Sequence, residues 1–407
     1  MYQSYIEELS VTKKILVPFL SAMLLAACSG NDGKLSAAES SSSVESSASV
    51  VAVDYSKGRA MNARLGRGIN LGNSWDSKSY AGDVPEEPYN YGYNDDLDAG
   101  WGNPIKDEDF AIVKAAGFNS VRIPVRWQHN SNPITHEVNP ERLAGVIEDV
   151  QLAIDAGLAV IVDFHWYQEM MDAANNYTND PVNNAAAYEA EKTHFVTIWT
   201  QVATAFENQH FPDSLLVLEI MNEPTIKDAT VLNDVLLSAY NAIRSAAPGK
   251  TIMFESYHAA KFGDLGALTL PQDGNIIFSG HYYEPYTYTH EGHGYTCAGE
   301  NTYASNASSD IASYVALAQK LYPDVNGGHI PMNMGEFGVA AGGRSSCGTS
   351  GPSDKYWALW SKKAIAAAEK YDISWTYWGF TKVGGFEAYD RYNNVWYSGI
   401  LDAFFQN

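Results

Sequence analysis

The chain is short of basic residues, of cysteine and of the signatures that mark metal and nucleotide sites. Lys and Arg number 26 against 48 Asp and Glu, a formal net charge of −22. A surface of that sign repels phosphate, which excludes nucleic acid and anionic membrane surfaces as partners. A neutral polymer meets no such objection. There are three cysteines, with no CxxC or HExxH spacing, so no zinc site is expected. No GxGxxG or Walker loop follows an early strand, which removes phosphate-cradling chemistry and the main reason to expect an open doubly wound sheet. The acidic run at 94–98 (NDDLD) lacks EF-hand spacing and reads as a solvated loop. No metal or organic cofactor is implied.

What is present is apolar and aromatic. Hydrophobic residues make up 45% of the chain and charged residues 18%, enough to build a large core and too little charge for extended disorder. The N-terminus stands apart. Lys13 and Lys14 precede an apolar run at 15–25 that closes in Leu25-Ala26-Ala27-Cys28. A basic start, a short apolar stretch and small residues at the cut read as an export signal, too short for a membrane-spanning helix. Cysteine after Leu-Ala-Ala resembles a bacterial lipobox, so residues 1–28 are expected to be a signal and Cys28 a lipid anchor. Residues 1–10 sit oddly ahead of the basic pair, and a start at Val11 is expected. The protein would then be an outer-membrane or cell-surface lipoprotein, or else periplasmic or secreted. Residues 29–55, serine-rich to 49, read as a tether, and 56–407 as one catalytic domain. Cys297 and Cys347, in loop-like GYTCAGEN and SSCGTSG, are an even pair expected to form a disulfide.

The stretch at 215–224, LLVLEIMNEP, organises the rest. Its apolar run has the length and composition of a strand buried on both faces, and it ends abruptly in Asn222, Glu223 and Pro224. Similar runs at 68–72, 120–125, 159–164, 251–255, 276–280, 330–335 and 373–378 alternate with helical patterns at 107–117, 140–157, 194–207, 229–246, 310–321, 353–371 and 400–405. In the second of these helices Leu143, Ile147, Val150 and Ile154 are expected to form the buried stripe. Eight strands separated by helical segments, with no composition break, predict parallel pairing in a (β/α)8 barrel.

Such a barrel gathers the C-terminal strand ends into one cleft. Arg122 lies in the second strand, His165 follows the third, Asn222 and Glu223 the fourth, His281 and Tyr283 the sixth; Glu336 follows the seventh and Trp378 the eighth. Paired carboxylates suit glycosidic cleavage, one protonated to release the leaving oxygen and one ionised to attack the anomeric carbon. Glu223 is assigned as acid/base and Glu336 as nucleophile, with Arg122 and Tyr283 expected to lower the pKa of Glu336. His281 is placed to set the Glu223 proton, Asn222 to bond a sugar hydroxyl, and Trp378 to floor the sugar. Trp75, Trp166 and Trp396 are candidate extensions of that floor or core residues.

The same residues carry a resemblance. NEP after the fourth strand, RIP in the second, HYYEP after the sixth, GEFG at the seventh and WTYW at the eighth resemble glycoside hydrolase family 5, in the large clan of retaining barrel glycosidases. GINLGN, AAGFNSVRIPVRW and HYYEPYTYTHEG are similar to its endoglucanase members. The resemblance covers about Arg67 to the C-terminus and implies Glu223 as acid/base and Glu336 as nucleophile. It surrounds them with Arg122, His165, Asn222, His281, Tyr283 and Trp378. Where family members often carry a second histidine, this chain has Trp166. The expectation is a monomeric, cofactor-free, retaining endo-β-1,4-glucanase acting on a β-glucan polysaccharide, touching a membrane only through Cys28. An endo-mannanase, xyloglucanase or xylanase is the alternative, and a glycan-binding lipoprotein without catalysis the remote one.

Overall fold

Strands such as SVRIPV and AVIVDF are buried at every position, because helices cover one face and the barrel interior the other. The computed structural model describes residues 50–77, 101–290, 305–341 and 354–406. Residues 1–49 with Cys28, the run at 94–98, and Cys297 and Cys347 lie outside these. Eight strands close into a parallel barrel in chain order: β1 (Arg67–Asn70), β2 (Ser120–Val125), β3 (Ala159–Phe164), β4 (Leu216–Glu219), β5 (Thr251–Glu255), β6 (Ile276–Tyr282), β7 (Met332–Phe337) and β8 (Ser374–Tyr377). The longer helices are α1 (Ser56–Leu65), α2 (Asp107–Ala116), α3 (Pro140–Asp155), α4 (Gln168–Asn179), α5 (Pro181–Asn208), α6 (Ala229–Ala246), α7 (Ala307–Leu321), α8 (Asp354–Glu369) and α9 (Ile400–Phe405). The chain is a (β/α)8 barrel.

Sequence pattern places most of these elements to within a few residues, and three differences have physical causes. The tether does not run to residue 55: Val53 pairs with Asp324, and Tyr55 is buried. Next comes α1, which closes the lower mouth of the barrel. Its Met61 and Leu65 pack on Ala159, Ile161, Val217, Met253 and Ile277, inward-facing residues of β3 to β6. Leu65 is fully buried, so Leu65→Ala is expected to cost about 2–5 kcal/mol, read as a lowered denaturant midpoint in chemical unfolding. Second, the pattern at 194–207 is only the buried end of a 28-residue helix. Asp180 caps it by accepting from the Asn183 N–H, and Pro181 opens it.

Third, the α3 stripe is rotated. Arg142, Val146, Asp149, Val150 and Ala153 are buried, while Leu143, Ile147 and Ile154 flank them only partly buried. Trp75 is the reason. It docks over Gly145, where a Cβ would come within 2.6 Å of the indole. Its Nε1 donates to Asp149 Oδ2 at 2.6 Å, and the Arg142 guanidinium lies 5.3 Å from the ring centre. Two charged side chains are therefore buried as partners of one tryptophan. Trp75, a candidate sugar platform, is a core residue. So is most of Trp396, which packs on Phe118, Phe380 and Tyr389.

Above the apolar layer, the next inward positions of β2 to β5 are charged: Arg122, Asp163, Glu219 and Glu255 all have 0% exposure. The barrel interior thus changes from hydrocarbon at its base to an ionic layer directly beneath the upper rim.

Candidate active site

Arg122 is the hub of that layer. Its Nε donates to Glu219 Oε2 at 2.6 Å and its Nη2 meets Asp163 Oδ2 at 2.5 Å. The remaining donors reach Asn70 Oδ1 (2.9 Å), Asn222 Oδ1 (2.7 Å) and Glu336 Oε1 (3.0 Å). A guanidinium offers five N–H donors in a rigid fork, which suits one cation holding several strand ends. Burial opposes its charge, but Asp163, Glu219, Glu336 and Glu255 outweigh that and keep it protonated.

Glu223 follows β4 with a backbone φ of +48°, a left-handed conformation that a side chain disfavours. Its N–H donates to Glu255 Oε2 at 2.6 Å, and its Oε1 lies 3.0 Å from His281 Nδ1. His281 also lies 3.6 Å from Glu336 Oε2, and its Nε2 is 2.9 Å from Glu255 Oε1, close enough for ion pairing but outside hydrogen-bond alignment. Burial disfavours a charged imidazole here, yet Glu336 and Glu255 hold its pKa well above the ordinary histidine value. Glu336 receives the Tyr283 hydroxyl at Oε2, 3.0 Å away. One oxygen or nitrogen from each of Glu223, His281 and Glu336 lies within 4.8 Å of the other two. That spacing suits a chelated cation by distance alone, but the Arg122 guanidinium, 3.0 Å from Glu336 Oε1, opposes one.

The Glu336 carboxyl is raised rather than lowered from the ordinary glutamate value. Burial is the largest influence, and the neighbouring His281 and Arg122 charges offset it only in part. Arg122 therefore pulls in the expected direction but does not prevail.

His165 Nδ1 lies 3.0 Å from Asp163 Oδ2, and its ring is parallel to Trp378 within 5°, centroids 5.8 Å apart. Trp378 sits over Gly72, where a Cβ would lie 2.5 Å from the indole; this close approach explains the glycine of GINLGN. Trp166 is partly buried, with φ +62° and its carbonyl accepting from Gln128 Nε2 at 2.7 Å.

All eight residues picked from strand ends are thus joined in one contact network. Asp163, Glu219 and Glu255 complete this network, and the polar residues past the strand ends do not single them out. Each is the lone charged residue of its strand (AVIVDF, LVLE, TIMFE), and that interruption is a readable signal.

A closed barrel with two carboxylates and a bound arginine at its upper mouth defines the architecture of a barrel glycosidase. A family model for cellulase (glycosyl hydrolase family 5) matches residues 83–383. The chain belongs to glycosyl hydrolase family 5. It is 28% identical over 287 residues to Endoglucanase H of Acetivibrio thermocellus, covering 69% of this chain and 27% of that protein. It is 26% identical to a xyloglucan-specific endo-beta-1,4-glucanase of Bacteroides ovatus, covering 68% and 56%. With Endoglucanase A of Paenibacillus barcinonensis it shares 27% identity over 85% of this chain and 89% of the relative. The chain therefore spans about a quarter to a half of two of these relatives and most of the third. Among solved structures, a hyperthermophilic endo-beta-1,4-glucanase in complex with substrate superposes with a TM-score of 0.67 at 28% identity, over 86% of this chain and 100% of its own. Thermotoga maritima Cel5A in complex with mannotriose gives a TM-score of 0.67 at 26% identity, over 85% and 99%.

Proposed function

We propose that this protein is a retaining endo-β-1,4-glucanase that cuts internal linkages of cellulose or a related β-glucan. The observation that carries the reading is the approach of a Glu223 oxygen to within 4.8 Å of a Glu336 oxygen. Double displacement uses carboxyl groups about 5–5.5 Å apart, whereas inversion needs roughly 6.5–9.5 Å to admit a water.

In the first step Glu336 attacks the anomeric carbon while Glu223 gives its proton to the departing glycosidic oxygen. The C–O bond to the leaving chain breaks as the ester to Glu336 forms. In the second step Glu223, now ionised, takes a proton from water, whose oxygen displaces Glu336. The Tyr283 hydroxyl and Arg122 orient the nucleophile. Asn222 has its amide oxygen held by Arg122, which fixes the amide for a sugar hydroxyl beside the reacting centre. Trp378 and the parallel His165 ring flank the sugar.

The endoglucanase names among the relatives support the β-glucan assignment. The xyloglucan-specific relative and the mannotriose complex keep branched glucans and mannans in view. Rates compared on carboxymethylcellulose, barley glucan, xyloglucan and glucomannan decide among them, with the fastest expected on an unbranched or mixed-linkage glucan. Proton NMR of early products should show the β-anomer first; α-anomer first would overturn retention.

A further inference from the structure

Glu255 ends β5, is fully buried, and has no part in either reaction step above. It nevertheless engages the acid/base residue twice. Its Oε2 accepts the Glu223 N–H at 2.6 Å. Its Oε1 lies 2.9 Å from His281 Nε2, while the opposite ring nitrogen lies 3.0 Å from the Glu223 carboxylate. The contacts close a ring: one carboxylate holds the Glu223 main chain and also backs the imidazole that faces the Glu223 side chain. The left-handed backbone of Glu223 needs such an anchor, since a strained conformation persists only where its surroundings over-determine it.

The groups facing Glu255 are His281 and Ser279 from β6, Arg122 from β2 at 3.8 Å, and Glu219 from β4. Burial alone would protonate Glu255, yet His281 and Arg122 hold it down to about 2. Glu219 is shifted the opposite way. Burial raises it well above the usual carboxylate range despite Arg122.

We propose that Glu255 is a positioning residue of this site, fastening the acid/base main chain and aiming the His281 ring at both reacting carboxylates. The inference rests on the roles given above to Glu223 and Glu336. His281 is faced by Glu223, Glu255 and Glu336, with the Tyr283 ring edge-on to it. A charged ring there moderates the repulsion between the two reacting carboxylates and favours ionised Glu336. Without the negative charge of Glu255 the ring loses one of the charges that hold its pKa up, and Glu336 must ionise beside a weaker cation.

The test is Glu255→Gln, which preserves shape and an acceptor oxygen but removes the charge, compared with Glu255→Asp on barley glucan. For Glu255→Gln, kcat should fall about 10- to 100-fold with KM little changed. The acidic limb of kcat/KM should move up by about one pH unit or more. Glu255→Asp should keep the limb where it is in the parent. A Glu255→Gln enzyme with the parental kcat and limb overturns the proposal. If Glu255→Gln does not fold, 15N NMR of the parent, with the His281 signals identified by their loss in His281→Gln, still decides. A doubly protonated ring at pH 7 supports the proposal and a neutral ring overturns it. If the parent hydrolyses no β-glycan, the assigned roles fail instead, and the NMR result still tests the coupling of Glu255 to His281.

Discussion

Glu336→Ala is expected to abolish turnover on every β-glucan while leaving the barrel folded and polymer binding intact. Removing a covalent nucleophile costs on the order of 10⁴-fold or more, because no other group can form the intermediate and the remaining site offers binding alone. Folding should survive because Arg122 retains Asp163, Glu219, Asn70 and Asn222 as partners, so no buried cation is orphaned. Reducing-sugar release measures the first effect and affinity electrophoresis in a soluble glucan the second. Hydrolysis at the parental rate would remove Glu336 from the chemistry.

Glu223→Ala should give a result that depends on the leaving group. General acid/base assistance is worth roughly 10²–10⁴-fold, and a polymer alkoxide needs all of it. A dinitrophenyl cellobioside departs unaided, so its first step should be nearly spared while hydrolysis of the intermediate slows for want of a base. The expected signature is a burst of dinitrophenolate followed by a slow steady rate, which added azide, a nucleophile that needs no deprotonation, accelerates. Equal losses on polymer and aryl glycoside would show that Glu223 positions the substrate rather than transferring protons. The variant also removes the carboxylate facing His281, so the burst is best followed over a range of pH.

Strand order and the cleft residues were both readable because the signal is local. Runs such as AVIVDF admit few alternatives to a strand buried on both faces. A polar residue just past such a run marks the upper rim once eight of them occur in sequence. The rotated face of α3 was not readable. Its burial depends on Trp75, more than 60 residues earlier, choosing Gly145, Asp149 and Arg142 as its bed. Helix α1 escaped notice because its apolar residues serve a barrel mouth rather than a stripe along a sheet.

The pKa of Glu336 escaped for a related reason. Sequence names the neighbours of a carboxylate but not its depth, and burial outweighs the charges of His281 and Arg122.

By itself the sequence determined which residues lie toward the C-terminal ends of the strands and therefore gather near one mouth of the barrel, since strand period and barrel closure leave that choice little freedom. Only the tertiary structure decided how those residues share charge. The ionic layer of Arg122, Asp163, Glu219 and Glu255 comes from four strands distant along the chain. Its proton distribution depends on distances of a few ångströms in a medium that solvates charge poorly, and strand pairing across the closed sheet sets those distances.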